Sequence, residues 1–426
     1  MRVIIAGGGI GGLTAAMALH ARGVDVQVYE AVQDLQPLGV GINVLPHAMA
    51  KLDRLDLLPT VLPLGVQTAE LCFYNLHGQL IWSEPRGVAA GYPVPQLSVH
   101  RGRLHMALLD EARARLGEGR VLTGHALRSF TDDGRRVEVE LECRGDDTVV
   151  RDHADVLIGA DGIHSTVRRR FHPDEGLPQW SGNVLWRATT VVPGYLTGRS
   201  MFMAGHRPHK FVAYPITEPD AAGHQVINWI AELDRRELGL AAREDWNRVG
   251  SLEDFLPRFE NWVWDWLDVG ALIRGAEAVY EFPMVDRDPL DRWTVGRVTL
   301  LGDAAHPMYP IGSNGASQAI LDALTIADLL AAAGSGAIDA ALQAYDDDRR
   351  PTTAAIVLSN RRHGPEVSPA PQKTRAGRDG RDGAKDRGAH GATPRAPPRS
   401  GRCGSRSARA WSARHDAPFR RGPPTC

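Results

Sequence analysis

The chain has 426 residues, of which 43% are hydrophobic, and a formal net charge of −2. This length allows two or three domains with a sizeable core. Its four cysteines show no metal-ligand spacing, the N-terminus begins with a strand pattern rather than a signal peptide, and no apolar run reaches the roughly 20 residues that cross a bilayer. We therefore expect a soluble, cytoplasmic protein without a metal site or a membrane span.

The chain begins with one βαβ unit. Residues 2–6 form an apolar strand, residues 7–12 a glycine-rich turn, residues 13–21 a helix with small side chains, and residues 24–30 a second strand. Further along, the pattern predicts the elements helix 103–116, strand 136–143 and strand 154–158.

The middle of the chain predicts a second, mostly β domain. Residues 182–233 contain several strands separated by Pro and Gly turns, and aromatic side chains recur along them. The α/β pattern then returns with a short strand at 298–301 and a helix at about 317–333. Two further helices are predicted at 341–349 and 352–361. No internal repeat is present, which disfavours a solenoid or propeller.

The C-terminal tail, residues 366–426, has a different composition. From Val367 onward it contains fourteen Lys and Arg against four Asp, and it has hardly any large apolar side chains. Such a segment cannot bury enough surface to offset its ordering entropy, so we predict that it is disordered. The composition is typical of a GC-rich coding region read out of frame, and a natural basic extension is the alternative. Without aromatic interleaving, it does not predict nucleic-acid binding.

The first glycine cluster fits a dinucleotide-binding turn. Gly7 permits the tight turn, Gly9 lets the backbone approach a pyrophosphate, and Gly12 lets helix and strand pack closely. Glu30, at the end of the next strand, is placed to accept hydrogen bonds from the adenosine ribose. A flexible loop is the alternative for the glycines alone, but the strand, helix and acid together favour a dinucleotide.

Two later segments favour FAD over NAD. The first, residues 156–168, runs from an apolar strand into Asp161, and the second, residues 298–307, runs from a strand into Gly302 and Asp303. A carboxylate at the carboxyl edge of the sheet lies where ligands bind, and Asp303 could hold a polyol there. A simple helix cap is the alternative role for this aspartate.

In this order and spacing, the three segments resemble the fingerprints of the class A flavoprotein monooxygenases, which include p-hydroxybenzoate and salicylate hydroxylases. The resemblance runs from Met1 to about Pro365, and residues 38–43, 92–102 and 283–290 are similar to the phenazine-modifying members. It implies an α/β, Rossmann-like FAD-binding fold of the glutathione-reductase type with an inserted, mostly β substrate domain. The implied division is 1–70, 101–175 and 281–365 for FAD binding, and 71–100 and 176–280 for the substrate.

The resemblance also implies roles for individual residues. The AMP half of FAD would be bound by the first glycines and Glu30, the ribityl chain by Asp303, and the flavin side near the pyrophosphate by Arg101. Asp161 would serve both FAD and the path of the nicotinamide cofactor. The loop 310–316 would lie against the isoalloxazine ring, where the N-terminus of the next helix favours negative charge. The full set of implied cofactor-binding residues is Gly7, Gly9, Gly12, Glu30, Gly41, Arg101, Asp161, Asp303, Gly315 and Ala316.

Candidate residues of the substrate cavity are aromatic, basic or part of the flavin loop: Trp186, Arg187, Tyr214, Tyr309 and Pro310. Aromatic side chains in a β domain are more often part of the core, which is the alternative for three of them. His306 could be a base, but a structural role is more common at such a turn. Arg349 and Arg350 fit a solvated helix end. No side chain is assigned as catalytic.

The resemblance implies a reaction in which NAD(P)H and O2 serve as co-substrates. Reduced FAD would form a C4a-hydroperoxide that hydroxylates a phenolic, salicylate-like or phenazine-like small molecule in a site that excludes water. An FAD-dependent reductase or dehydrogenase on the same fold is one alternative. An inactive FAD-binding protein is the other, because of the unusual C-terminus. The expected state is a monomer or homodimer that binds neither nucleic acid nor membranes.

Overall fold

The computed structural model of the chain describes residues 1–145, 148–206, 208–236 and 248–362. The tail that the sequence predicts to be disordered, 366–426, lies outside the described residues. Within the described part, the strands in chain order are β1 (Arg2–Ala6), β2 (Asp25–Tyr29), β3 (Gly41–Val44), β4 (Gly65–Thr68), β5 (Glu70–Tyr74), β6 (Leu80–Pro85), β7 (Gln96–His100), β8 (Val121–Leu122), β9 (His125–Asp132), β10 (Val137–Cys143), β11 (Val149–Ala154), β12 (Val156–Gly159), β13 (Gln179–Pro193), β14 (Ser200–His206), β15 (His209–Pro215), β16 (His224–Asp234), β17 (Val263–Trp264), β18 (Leu267–Asp268), β19 (Tyr280–Asp286) and β20 (Val298–Leu300). The α-helices are α1 (Ile10–His20), α2 (Pro46–Asp53), α3 (Leu58–Val61), α4 (Arg101–Leu116), α5 (Thr166–Phe171), α6 (Val269–Arg274), α7 (Gly315–Ala333) and α8 (Ile338–Arg362).

A five-stranded parallel sheet forms the first core, with the strand order β20-β12-β1-β2-β8. The residues of β12 and nearly all of β1 are buried, which explains their continuous apolar sequences. Parallel pairing brings the carboxyl ends of β1, β12 and β20 to one edge of the sheet. Gly7, Asp161 and Asp303 therefore follow three adjacent strands at the same edge.

A seven-stranded sheet forms the second core, with the order β19-β13-β16-β15-β14-β5-β6. Alternate side chains along its strands point to opposite faces. One face carries Trp186, Phe202, Phe211 and Trp229, which pack in an aromatic core with Phe255 and neighbouring side chains. The other face borders the cavity described below. The sheet includes β19, so it extends past residue 281, where the sequence places the return to the FAD-binding part.

Two smaller antiparallel sheets have the strand orders β11-β10-β9 and β3-β7-β4. The remaining described strands, β17 and β18, form a two-stranded ribbon. The β3-β7-β4 sheet lies between the two large sheets. The amide of Gly41, in β3, donates to Asn228 Oδ1 of β16 over 2.6 Å. A β-carbon on residue 41 would be 2.6 Å from the β-carbon of Asn228, so only glycine allows this close approach.

Helix α8 is continuous from Ile338 to Arg362, although the sequence predicts a break near Pro351. Proline removes one backbone donor from the helix. Side chains in the next turn satisfy nearby carbonyls: Thr353 Oγ1 donates to Arg349 O over 3.1 Å. Packing of buried Tyr345 and Val357 on the rest of the protein also holds both halves in place.

The segment Ile311–Gly336, which includes α7, is long and apolar enough to cross a membrane by length and composition. The sequence prediction that no segment is long and apolar enough to cross a membrane is therefore wrong for this segment, by length and composition alone. In the structure, however, α7 packs against α1, α2 and α8, and ten of its residues are buried, among them Asp322. The segment therefore acts as a core helix of this fold.

Candidate active site

The turn between β1 and α1 is shaped by two close approaches. Gly7 has φ = 114°, and a β-carbon there would be 2.2 Å from Ala160 O; at Gly12 it would be 2.0 Å from Gly7 O. By contrast, a β-carbon on Gly9 would meet no protein atom within 4 Å. The first two glycines thus allow strand and helix to pack. Gly9, at the N-terminus of α1, leaves open space in front of free backbone amides, as an anion requires.

Glu30 is fixed by the same turn. Its two carboxylate oxygens accept hydrogen bonds from the amides of Gly8 and Val32, each over 2.7 Å. The carboxylate is therefore oriented at the carboxyl end of β2 before any ligand is present. Each oxygen keeps a further lone pair with which it could accept a ribose hydroxyl.

Asp303 lies at the carboxyl end of β20, and its carboxylate has no hydrogen bond from any residue that the structure describes. Solvent reaches the side chain through the cavity, although protein encloses it on the other sides. This burial raises the pKa of Asp303, and the nearby charges of His306 and Arg101 oppose the rise. A carboxylate without a partner at the edge of the cavity fits a polyol that donates hydrogen bonds to it.

The loop after Pro310 brings the N-terminus of α7 beside Asp303. Gly312 and Ser313 have φ values of 69° and 58°, an unusual conformation for the serine. A β-carbon on Gly315 would lie 4.0 Å from Asp303 Oδ1. The first amides of α7 have no partner within the helix, so they and the helix dipole favour negative charge at this point.

A buried ionic network lies beneath this loop. Asp322 Oδ2 is 2.6 Å from His306 Nε2 and accepts from the amide of Gly302 over 3.1 Å. Its other oxygen accepts from Arg349 Nε over 2.7 Å, and the same guanidinium donates to Gln318. Burial disfavours ionisation of Asp322, but the charges and hydrogen bonds of His306 and Arg349 outweigh it and lower its pKa.

This network corrects one interpretation of the sequence and supports another. Arg349 is buried, so it is not part of a solvated helix end as the sequence suggested; Arg350 is partly exposed and pairs with Asp346. His306 has the structural role favoured above. No local pattern in the sequence indicates this network. Asp322, Arg349 and His306 belong to α7, α8 and the Gly-Asp turn, and these elements are far apart in the chain.

A cavity of about 420 Å³ lies between the α7 loop and the free face of the seven-stranded sheet. Its walls contain several of the residues that the sequence assigned to the cofactor or the substrate: Gly41, Arg187, Tyr214, Asp303, Pro310, Gly315 and Ala316. Most of the other side chains on the sheet side are apolar, including Leu185, Val212 and Ile230. The cavity is therefore bounded on one side by the loop before α7, residues 310–316, and on the other by a mainly apolar wall of the sheet.

Two candidate substrate residues do not line this cavity. Trp186 points to the opposite face of β13, where it stacks on Phe255 with ring centroids 5.0 Å apart. Tyr309 is buried behind the cavity wall with Leu185 and Met284. Both assignments to the cavity lining are therefore wrong, because neighbouring residues on a strand or turn face opposite sides and the sequence does not say which side is free.

Gly41 O joins the two polar side chains on the sheet side of the cavity. It accepts hydrogen bonds from Arg187 Nη2 and from the Tyr214 hydroxyl, each over 2.8 Å. Burial raises the pKa of Tyr214 to about 12, with Arg187 opposing the rise, so the hydroxyl stays protonated near neutral pH. Burial also lowers the pKa of Arg187. Among the described residues, no carboxylate pairs with this guanidinium.

Arg101 and Asp161 lie outside the cavity wall. Arg101 begins α4, is exposed, and its amide donates to Val40 O over 2.9 Å. Asp161 Oδ2 accepts from the amides of Thr166, over 2.7 Å, and Val167, over 3.4 Å, in the first turn of α5, whose N-cap is Ser165. Its buried Oδ1 has no partner within the described chain, and burial raises the pKa of Asp161.

These features fit FAD. The open space at Gly9 and the N-terminus of α1 suit a pyrophosphate, the oriented Glu30 suits a ribose, and the unpartnered Asp303 suits the ribityl chain. The N-terminus of α7 suits the electron-rich edge of a reduced flavin. For a metal ion, by contrast, no suitable group of three or more His, Cys, Asp or Glu side chains occurs within the described ranges.

A family model described as "FAD binding domain" matches residues 1–359. Over 386 residues, the chain is 46% identical to "phenazine 1,6-dicarboxylic acid hydroxylase PhzS" of Lysobacter antibioticus, with 88% of this chain and 94% of the relative covered. It is 32% identical to a 3-amino-4-hydroxybenzoate 2-monooxygenase of Streptomyces cremeus, covering 89% and 93% of the two chains. The chain belongs to the class A FAD-dependent aromatic monooxygenases.

The fold of this monooxygenase matches solved flavoprotein structures. The structure of Klebsiella pneumoniae HpxO with FAD and uric acid aligns with a TM-score of 0.71 at 24% identity, covering 85% of this chain and 87% of HpxO. A salicylate hydroxylase complex aligns with a TM-score of 0.70 at 23% identity, covering 88% and 91%. The predicted family, Rossmann-like fold, FAD cofactor and aromatic hydroxylation are thus confirmed.

Proposed function

We propose that this monooxygenase uses NAD(P)H and O2 to hydroxylate a fused heteroaromatic carboxylic acid. The observation that carries the proposal is the cavity between the α7 loop and an apolar sheet face, with the Arg187 guanidinium in its wall and no described carboxylate paired to it. The relative named for phenazine 1,6-dicarboxylic acid supports the substrate class. One oxygen atom enters the ring, and the other leaves as water with the electrons of NAD(P)H.

Bound FAD supplies the redox and oxygen chemistry, and the protein holds both partners of the reaction in place. We assign the AMP half of FAD to Gly9 and Glu30, and the ribityl chain to Asp303. The backbone around Gly315 and Ala316 faces the flavin ring. Gly7 and Gly12 shape the turn. Arg101 and Asp161 support the cofactor region from outside the cavity, and Gly41 does so from the cavity wall.

The sheet face positions the aromatic ring and keeps water away from the reacting carbon. Apolar side chains such as Val212 and Ile230 favour a flat ring over water. Arg187 binds the substrate carboxylate with its planar set of donors. The protonated Tyr214 hydroxyl, already bonded to Gly41 O, fixes this part of the wall and does not act as a base at neutral pH.

We also propose the domain division 1–70, 101–175 and 281–365 for FAD, and 71–100 and 176–280 for substrate. The membership of β5, β6 and β13–β16 in one sheet supports it, with β19 as an added strand at the boundary. A cytoplasmic location and a monomeric or homodimeric state remain predictions from the sequence. Fractionation of the producing cells and light scattering of the purified protein test them.

The test of the proposed function measures three stoichiometries with purified holoenzyme. NAD(P)H oxidation, O2 consumption and hydroxylated product are quantified with phenazine-1-carboxylic acid and phenazine-1,6-dicarboxylic acid. We expect a ratio close to one to one to one. Flavin reduction without hydroxylated product would support the reductase alternative. A flavin-loaded protein that neither NADH nor NADPH reduces, with or without the acids, would support the inactive FAD-binding protein.

A further inference from the structure

We propose that Met201 is a modification site, at which the hydroperoxide of the reaction oxidises the protein itself to methionine sulfoxide when no aromatic ring accepts the oxygen. The inference rests on the proposed function, because that reaction supplies the oxidant. Four of the eight methionines in the chain line the cavity: Met201, Met203, Met284 and Met308. Their thioether sulfurs can be oxidised, whereas the Leu, Val and Ile side chains beside them do not react in this way.

The Met201 sulfur lies near the loop before α7. Asn43 Nδ2 donates to Met201 Sδ over 3.7 Å and to Ser313 Oγ over 3.4 Å. Ser313 belongs to the loop that we assign to the flavin ring, so a single amide group contacts both the sulfur and this loop. The alternation along β14 agrees, because Phe202 points into the aromatic core whereas Met201 and Met203 line the cavity.

Oxygen transfer to the sulfur balances without any further reagent. The oxidant is the hydroperoxide that the family resemblance implies for this reaction. The Met201 sulfur attacks its terminal oxygen, and the O–O bond breaks as the S–O bond forms. The sulfur loses two electrons and the hydroperoxide gains them, while the proton of the terminal oxygen moves to the oxygen left behind, which becomes a hydroxyl group. The ordinary cycle removes this group as water, so each sulfoxide consumes one NAD(P)H and one O2.

Oxidation of Met201 changes the cavity wall and therefore the binding of the ring. A sulfoxide is polar, and Asn43 Nδ2 can donate to its oxygen instead of to the sulfur. A polar group in a wall that favours a flat ring weakens ring binding and admits water. NAD(P)H oxidation without hydroxylation therefore lowers the substrate affinity of the enzyme, and chemical reduction of the sulfoxide restores it.

The primary test is mass spectrometry of peptides from the full-length holoenzyme after prolonged NAD(P)H oxidation in air without an aromatic substrate. Catalase is present, so that hydrogen peroxide which leaves the protein is destroyed. Met106 is the internal control, because it is partly buried like Met201 but lies on α4 outside the cavity wall. We expect a gain of one oxygen atom at Met201 that grows with the NAD(P)H consumed, and no gain at Met106.

Two results would overturn the inference. One is continued consumption of NAD(P)H and O2 without sulfoxide at Met201. The other is sulfoxide that appears equally at Met201 and Met106 and only without catalase, because the oxidant would then be free hydrogen peroxide. If the holoenzyme oxidises NAD(P)H neither alone nor with the phenazine acids, the proposed function itself fails, and this inference with it.

A pair of variants tests the consequence for binding. Met201→Leu keeps a side chain of similar volume but removes the sulfur. After the same treatment, the Kd of wild-type holoenzyme for phenazine-1-carboxylic acid, measured by flavin absorbance, should rise roughly 10-fold, whereas Met201→Leu should keep its untreated Kd. Met49→Leu is the control, since Met49 is buried in the first core and its loss should leave the rise intact. An equal rise in Met201→Leu would contradict the inference, and the peptide data decide it if this variant does not fold.

Discussion

Asp303, to which we assign the ribityl chain of FAD, carries a free-energy cost for the protein without the cofactor. Its carboxylate has no hydrogen bond within the described chain, and burial raises its pKa. The ionised form is therefore less favourable in the folded than in the unfolded chain. This free-energy penalty for ionising Asp303 is absent below pH 3.8, the ordinary pKa of an aspartate. It is fully present at a pH above the raised pKa of the folded state.

We predict that Asp303→Asn stabilises the apoprotein at neutral pH and weakens FAD binding. The gain in melting temperature should disappear below about pH 3.8, where the wild-type carboxyl is protonated in both states. The loss of a charged acceptor for the ribityl chain should reduce FAD affinity by about 1.5 to 3 kcal/mol. Thermal unfolding with and without FAD measures both effects. The exposed Asp34→Asn is the control, and an apoprotein that is less stable at neutral pH would contradict the prediction.

Asp322 is the opposite case, because its buried charge is fully paired. We predict that Asp322→Asn lowers the free energy of unfolding by about 3 to 5 kcal/mol, since Arg349 and His306 would lose their acceptor. The lowered pKa of Asp322 stabilises the fold above the ordinary value of 3.8, and this contribution is lost as the pH falls through the folded-state pKa.

Urea unfolding between pH 3 and pH 7 measures this effect. Asp328→Asn, on the same helix, is the matched control, because Asp328 is 43% exposed and pairs with Arg22 and Arg54 at the surface. The control should change stability by about 1 kcal/mol or less. Equal effects of the two substitutions would show that the network beneath the loop before α7 adds nothing to stability beyond what a surface pair adds.

At the residue scale, the sequence predictions were most accurate for residues whose role depends on their own backbone conformation. Gly7 and Gly12 are needed for close approaches within one turn, and a local motif reveals them. The cavity residues were harder to predict. Trp186 and Arg187 are neighbours on β13, and only the packing of the sheet decides that the arginine faces the cavity. Arg349 was misinterpreted because its partner, Asp322, lies on another helix.

The β1-α1 turn allows a prediction that separates folding from cofactor binding. A β-carbon on Gly9 meets no protein atom, whereas one on Gly12 overlaps Gly7 O. Gly9→Ala should therefore fold with nearly wild-type stability but lose FAD, because the methyl group occupies the pyrophosphate space. Gly12→Ala should lose about 1 to 3 kcal/mol or more of folding stability.

The measurements are FAD content by absorbance and chemical unfolding of the apoproteins. Gly119→Ala is the control, since a β-carbon there also meets nothing within 4 Å and the site is far from the turn in sequence. Full FAD occupancy in Gly9→Ala would show that the pyrophosphate lies elsewhere.

At the element scale, the sequence predicted the βαβ unit and the strand that leads into Asp303, because apolar runs bounded by glycine are clear local signals. It predicted a β-rich middle but not its strand order. The pairing of β5 with β14 joins segments more than a hundred residues apart, and such pairing has no local signature. The continuity of α8 through Pro351 was also missed, because tertiary packing compensates for the lost hydrogen bond.

Helix α8 connects the end of the described chain to the centre of the molecule. The Tyr345 hydroxyl donates to Leu300 O over 3.0 Å, and Asp346 accepts from the amide of Trp293 over 2.7 Å. Near its end, Arg361 pairs with Asp286 over 2.8 Å. The helix is therefore packed against the core that contains the parallel sheet, and the family match ends within it, at residue 359.

We predict that a chain ending at Arg362 folds and retains FAD, whereas a chain ending at Ala337 does neither. The shorter chain would lose Tyr345, Asp346 and Arg349 from the core. Limited trypsinolysis of the full chain with mass spectrometry should likewise remove the basic tail and leave a yellow core. Protection of Arg375 to Arg421 from trypsin would contradict the predicted disorder of the tail. An FAD-free 1–362 protein would show that the tail contributes to the fold.

At the scale of the whole molecule, the family and its cofactor were predictable because three short fingerprints occur in a fixed order. The tail is the exception, since composition gives no position for it. The sequence predicts either an out-of-frame product or a natural basic extension. Peptide sequencing of protein from its native source tests that prediction directly.

The two faces of the seven-stranded sheet have different roles: one packs into the core, and the other borders the cavity. Its aromatic face is tied into the core, whereas side chains such as Phe73, Met203 and Val212 face only the cavity. Volume changes at these alternate positions alter the shape of the cavity without entering the aromatic core. Single amino-acid substitutions on this face should therefore alter ligand preference while the scaffold stays intact. A combinatorial library restricted to the cavity face should yield many folded variants with altered ligand preference.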